Sequence, residues 1–145
     1  MRAVVQVVNS ASLTANGEFY SSINKGFVVL LGIKTTDTIK DVEYIANKII
    51  KLRVFEDDNG KLNLSLNDIN GEVMLVSNFT LYGNVKGTNR PDFINAAKPD
   101  ISKPLYEKCI NILKEQVPTK TGVFGADMKI NMMADGPCTI IIDSN

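Results

Sequence analysis

The sequence predicts an α+β domain: a largely antiparallel β-sheet or barrel with two main helices. Two observations predict it. Short runs of β-branched and aliphatic residues, bounded by turn pairs such as Asn16-Gly17 and Asn70-Gly71, recur along the chain. Only two segments, after Thr38 and after Ser102, repeat their apolar residues at helical spacing instead.

In order, Arg2–Val8 carries β-branched residues on both faces and reads as a central strand. Residues 10–15 alternate more weakly, Asn16-Gly17 signals a hairpin, and Glu18–Ile23 is the return strand. After the Asn24-Lys25-Gly26 turn, Phe27–Ile33 reads as a fully buried strand. Thr38 is placed to cap a helix, with Asp41 completing a capping box and Ile39, Val42, Ile45, Ala46 and Ile49 forming the apolar stripe. Leu52–Phe55 returns to strand. Asp57-Asp58-Asn59-Gly60 is a turn without the acidic spacing and terminal glutamate of a calcium loop. Leu62, Leu64 and Leu66 alternate as a short half-buried strand. Glu72–Leu81 is the next strong strand; it begins apolar and ends polar, as a strand leaving the core for a cleft would.

Residues 83–91 read as a solvated loop carrying Lys86 and Arg90, and Asp92–Lys98 as a short helix or turn. Ser102 caps the second helix, with Pro104 tolerated in its first turn; Leu105, Cys109, Ile112, Leu113 and Val117 form its apolar face, and Pro118 stops it. Thr121–Asp127 is irregular. Met128, Ile130 and Met132 alternate as a strand, Gly136-Pro137 forms a corner, and Thr139–Asp143 returns as the last strand of a terminal hairpin. No repeat or linker interrupts residues 1–145, so one domain is expected.

Composition narrows the chemistry. The formal net charge is zero, which argues against a broad basic nucleic-acid surface but leaves recognition of a short RNA end open. No apolar run is long enough to span a bilayer, and the first residues enter a strand pattern without a signal-peptide layout, so a cytoplasmic protein is expected. Cys109 and Cys138 lie in apolar segments and read as thiols rather than a disulfide. The chain has no histidine. That removes Ser-His and Cys-His nucleophilic pairs and histidine metal sites, and two cysteines alone are a poor zinc set. No metal and no cofactor are expected. Backbone groups, hydroxyls, carboxylates, amines or the substrate itself must carry any reaction.

Two stretches stand out: Ser77-Asn78-Phe79-Thr80-Leu81 and Ala134-Asp135-Gly136-Pro137-Cys138-Thr139. Taken singly, each reads as an ordinary strand end or an ordinary hairpin. Together they resemble the signature of the D-aminoacyl-tRNA (D-tyrosyl-tRNA) deacylases, which carry S-Q-F-T-L in one strand and N-x-G-P-x-T near the C-terminus. The resemblance extends over the chain in the family's order, through Arg2–Val8, Leu30-Leu31-Gly32, Arg53-Val54-Phe55, Asn59–Asn63, Gly87–Phe93 and Thr121–Met128.

The resemblance implies a cofactor-free homodimer that hydrolyses the ester joining a D-amino acid, or glycine mischarged on tRNA-Ala, to the 3′ end of tRNA. Ser77, Phe79 and Thr80 would be catalytic on one subunit. Asn78, Ala134, Gly136 and Pro137 would bind substrate, the Gly136-Pro137 pair entering from the partner through a cis peptide bond. Carbonyls at that corner would hold the substrate's amino group and exclude an L side chain. Backbone N–H groups near Phe79 and Thr80 would stabilise the oxyanion, and the terminal 2′-OH would help activate water. Thr80 as a covalent nucleophile is an alternative role. Phe79 stacks on the adenine or belongs to the core.

Four positions depart from the pattern. Asn78 replaces Gln, Ala134 replaces Asn, Val7 stands where many members have Arg after Gln6, and Cys138 replaces Val. The arginine is linked with the orientation of the Gly-Pro corner. Two rival readings follow: a related proofreader of mischarged L-alanyl-tRNA, and a non-catalytic RNA-end-binding homologue.

Overall fold

A computed structural model describes all residues 1–145. Its elements are β1 (Arg2–Ala15), β2 (Glu18–Ile23), β3 (Gly26–Gly32), α1 (Ile39–Lys51), β4 (Phe55–Glu56), β5 (Leu62–Leu64), β6 (Glu72–Ser77), a 3-10 turn (Phe79–Tyr82), α2 (Pro99–Gln116), β7 (Thr119–Thr121) and β8 (Met128–Asp143).

The long strand β1 organises the sheet. Its first half pairs with β3 and its second half with β2, both along one edge, while β8 runs antiparallel along the whole opposite edge. Beyond β3 the sheet continues through β6 and β7 in parallel. The expected sheet is therefore mixed: antiparallel around β1, parallel on the side that follows the helical crossovers, connections long enough to let neighbouring strands point the same way. The Ser21 hydroxyl on β2 donates to the Thr121 carbonyl on β7 at 2.8 Å, joining the two ends of the sheet and nearly closing a barrel.

Alternation divides the apolar residues between two faces. On β3, Phe27, Val29 and Leu31 point into the main core under the helices, and Val28 points to a smaller core inside the curl, with Leu13, Met74 and Val76. Val42, Ile45, Ala46 and Ile49 of α1 and Tyr106, Cys109 and Leu113 of α2 complete the main core. Thr38 and Asp41 form the expected capping box on α1. Gly26 has a φ of +159°, and a Cβ there would lie 1.9 Å from the Glu72 carbonyl oxygen, so only glycine lets β3 and β6 start side by side. The Met1 amino group and Asp37, both buried, pair at 2.6 Å between the start of β1 and the loop before α1.

Several expectations are corrected. Residues 72–81 are not one strand: β6 ends at Ser77 because Asn78 turns its side chain back onto the Thr80 N–H and starts a 3-10 turn. Leu52–Phe55 is replaced by the two-residue β4, which pairs with β5 as a separate ribbon. The second helix begins earlier, at Pro99, whose missing N–H costs nothing at the first helical position. Ser102 lies inside it and donates to the Lys98 carbonyl. Thr119–Thr121, which lacks an apolar pattern, is held as a strand by β6 alone. The terminal hairpin is absent. Met128–Asp143 is a single strand, because the unbroken edge of β1 pairs with it on both sides of Gly136-Pro137 and the corner becomes an excursion rather than a reversal.

Candidate functional site

The end of β6 opens into a cavity of about 450 Å³. Ser77, Asn78 and Phe79 form one wall, Phe93 and the start of α2 at Lys98 and Ser102 another, and Phe124 and Met128 a third. The position of the Ser77–Tyr82 segment follows from two local causes. Asn78 donates its N–H to the Leu31 carbonyl at 2.8 Å, tying the turn to β3. Gly32 lets the turn approach: a Cβ there would stand 2.9 Å from Leu81 Cβ and 3.2 Å from the Asn78 carbonyl oxygen.

Within the turn, the Asn78 side-chain oxygen accepts from both the Thr80 N–H, at 3.2 Å, and the Thr80 hydroxyl. The Thr80 proton is thus donated to an amide carbonyl, which is no base. The Thr80 N–H is likewise occupied. The Phe79 N–H, at the first position of the turn, has no intrahelical acceptor by helical geometry. Phe79 is 55% exposed, so it is not a core residue. Its ring meets Phe93 edge-on at 5.0 Å and 72°. Thr80 is exposed beside the cavity rather than in its lining.

The second stretch lies elsewhere. Asp135, Gly136 and Cys138 line a separate cavity of about 200 Å³ with Val7 and Lys25. Ala134, Gly136 and Pro137 are exposed, the Gly136-Pro137 peptide bond is cis, and Gly136 has a φ of +115°. Within one chain, therefore, the structure brings Ser77, Asn78 and Phe79 together and does not bring Ala134, Gly136 or Pro137 to them. Val7 is buried, with no polar reach to the corner. Sequence reasoning missed Phe93, Lys98, Ser102, Phe124 and Met128 as cavity residues. The hints were that Phe93 lies just after the polar loop of residues 83–91 and that Phe124 and Met128 lie in the Thr121–Met128 stretch of the family resemblance. That loop is closed at its base, where Asn84 and Asp92 exchange backbone hydrogen bonds at 2.9 and 3.0 Å.

Lys98 is the only acid, base or thiol side chain in the larger cavity. Tyr82, the last residue of the turn, has its hydroxyl pushed up to about 12 by burial. Burial likewise pushes the Cys109 thiol up to about 12, as suits a core residue, and neither cysteine is in a disulfide. No three His, Cys, Asp or Glu side chains converge to hold a metal.

Residues 4–143 match the model of a family described as D-Tyr-tRNA(Tyr) deacylase. A D-aminoacyl-tRNA deacylase of Desulfatibacillum aliphaticivorans is 50% identical over 145 residues, covering 99% of each chain. Its namesake from Fusobacterium nucleatum subsp. nucleatum is 51% identical, covering 99% of this chain and 96% of its own. Among solved structures, a "c-Myc DNA Unwinding Element Binding Protein" superimposes with a TM-score of 0.94 at 41% identity, covering 100% of this chain and 99% of its own. A probable eukaryotic D-amino acid tRNA deacylase gives 0.83 at 16% identity, covering 98% of both, a likeness of fold.

Proposed function

We propose, from the premise that the chain belongs to the D-Tyr-tRNA(Tyr) deacylase family, a hydrolase that cleaves the ester of D-aminoacyl-tRNA and of glycyl-tRNA mischarged on tRNA-Ala. The whole chain acts as one catalytic domain in the cytoplasm. No helix is long and apolar enough to cross a membrane.

The observation that carries the mechanism is the pocket wall itself. Ser77, Asn78 and Phe79 line a cavity with no histidine, carboxylate or thiol to act as base or nucleophile, its one titratable side chain being the Lys98 amine. An aminoacyl ester is an activated acyl group, so such a site needs to bind, orient and stabilise charge more than to supply a nucleophile. The scissile carbonyl sits against the turn, and the Phe79 N–H receives the developing oxyanion. Water attacks, assisted by the vicinal 2′-OH of the terminal adenosine; the C–O ester bond breaks and the proton passes to the departing 3′-oxygen. Phe79, exposed at the rim, stacks on the adenine. Thr80 braces the turn through Asn78 instead of attacking, since its proton already rests on an amide oxygen.

Chirality is read by the Gly136-Pro137 corner of a second subunit. Two features support this arrangement. The corner and the Ser77–Phe79 wall line different cavities of one chain. β8 also exposes Met132, Met133 and Ile141, apolar residues that a homodimer would cover.

The deciding experiment incubates the purified protein with D-Tyr-tRNA, L-Tyr-tRNA, Gly-tRNA and L-Ala-tRNA. Rapid loss of the D-Tyr and Gly esters with L-Tyr-tRNA spared is expected. Preference for L-Ala-tRNA favours the L-alanyl proofreader instead, and cleavage of none favours the RNA-end-binding homologue. Light scattering tests the dimer; a monomer at assay concentration would refute the cross-subunit site.

A further inference from the structure

The ladder between β1 and β8 shifts register on both sides of Val8, and the larger break lies at Val7. Gln6 faces Thr139, and the next pair is Val8 with Ala134, so the four residues 135–138 stand against Val7 alone. An excursion of that size loses the ladder bonds that would locate it. Packing does not replace them, because the cavity of about 200 Å³ lies against it. Val7, the residue directly opposite, is buried and its apolar side chain has nothing to donate.

Gln6 takes over. Its Nε2 donates to the Cys138 carbonyl at 3.3 Å, and its Oε1 accepts from the Thr139 hydroxyl at 2.6 Å. These are the only side-chain hydrogen bonds made to residues 134–139. One half-buried amide thus holds the two residues that follow Pro137, through a part-buried bond to Cys138 and an exposed one to Thr139. The chemistry asks for an amide. Its oxygen serves the Thr139 hydroxyl and its nitrogen the Cys138 carbonyl, whereas a carboxylate of the same shape offers oxygen to both and repels the carbonyl.

We infer that Gln6 and Thr139 form a positioning clamp that holds the Gly136-Pro137 corner and thereby sets discrimination between D- and L-aminoacyl esters. The inference rests on the deacylase reading above. Neither residue touches the substrate; both act through the corner.

Gln6→Ala and Gln6→Glu test it, with single-turnover deacylation of D-Tyr-tRNA and L-Tyr-tRNA as one readout. Loss of the clamp lowers the D-over-L rate ratio about tenfold, the effect of two ordinary hydrogen bonds. Thr139→Val, which removes one of the two bonds, gives a smaller fall of about threefold, and Thr139→Ser, which keeps the hydroxyl, restores the wild-type ratio. A wild-type ratio in both Gln6 variants, or equal ratios for the Val and Ser variants, overturns the clamp and leaves the deacylase reading standing. Absence of turnover by the wild type instead overturns the deacylase reading. Amide hydrogen exchange then decides the clamp without catalysis: faster exchange confined to residues 135–139 in Gln6→Ala supports it, and unchanged exchange overturns it.

Discussion

Replacing Asn78 by alanine tests whether the 3-10 turn is the working surface of the site. Its side-chain oxygen holds two donors of Thr80, the N–H at 3.2 Å and the hydroxyl. Asn78 is half-buried and Thr80 exposed, so water reaches both donors once the oxygen is gone. The loss is therefore the net worth of the bonds, not the larger penalty of buried unpaired groups. Capping side chains of this kind contribute about 1 kcal/mol, and two accepted bonds place the total at about 1–2 kcal/mol. That corresponds to a factor of about 5–30 in the population of the ordered turn. Because the turn is one local element, most of this appears as disorder of the site rather than as global unfolding. Single-turnover hydrolysis of D-Tyr-tRNA should slow about 5–30-fold, with a melting temperature lower by no more than about 2–8 °C in calorimetry. Asn78→Gln, one methylene longer with the same acceptor, should recover most of the rate. An Asn78→Ala enzyme with wild-type kcat/KM would refute the claim that this turn presents Phe79 to the substrate.

Further tests address how the site is held. Gly32→Ala would set a Cβ 2.9 Å from Leu81 Cβ, so the turn must move; activity should fall more than the cost of about 1–3 kcal/mol in a denaturant melt implies, and an unshifted kcat/KM would count against the packing argument. Tyr106→Phe removes the 2.8 Å bond from α2 to the Leu75 carbonyl, but Gly122 N–H still reaches that oxygen at 3.3 Å. The carbonyl is not orphaned, and the expected cost is about 1 kcal/mol, or about 2–4 °C by calorimetry. Acid should destabilise the fold through four carboxyls held below the ordinary value of 3.8: Asp41 by the Ser144 hydroxyl, Asp57 by the Lys61 N–H, Asp68 by the Ser65 N–H and Asp143 by Arg2. A carboxyl whose value is depressed in the folded state contributes stability above its unfolded value and loses it as pH falls through the folded one. The melting temperature should be flat above about pH 5 and decline below about pH 4; a decline setting in at neutral pH would contradict this.

Much of the architecture was legible because local rules agreed with the fold. The stripe Ile39, Val42, Ile45, Ala46 and Ile49 and the Thr38–Asp41 box specify α1 without help from the rest of the chain. Phe27–Leu31 is apolar at every position, and the structure buries both of its faces. Failures came where a distant partner decided. Residues 119–121 have no strand pattern and become one because β6 offers a free edge. Ser77-Asn78-Phe79-Thr80 is as compatible with a strand as with a turn until the Asn78 side chain bonds Thr80.

The sequence by itself determined the chemistry open to this protein. The absence of histidine is a fact of composition, and side chains that are not there cannot be supplied by folding. It also marked the two stretches that carry the family resemblance, since order along the chain suffices for that. Tertiary structure alone decided how they are presented. Whether Gly136-Pro137 reverses the chain depends on what lies beside it, and the long edge of β1 keeps β8 straight while four residues bulge against one. Which cavity each stretch faces, and the Gln6 amide that grips the strand beyond Pro137 from 132 positions away, are matters of register between distant strands. Register is set by the packing of whole faces, which no short window of sequence contains.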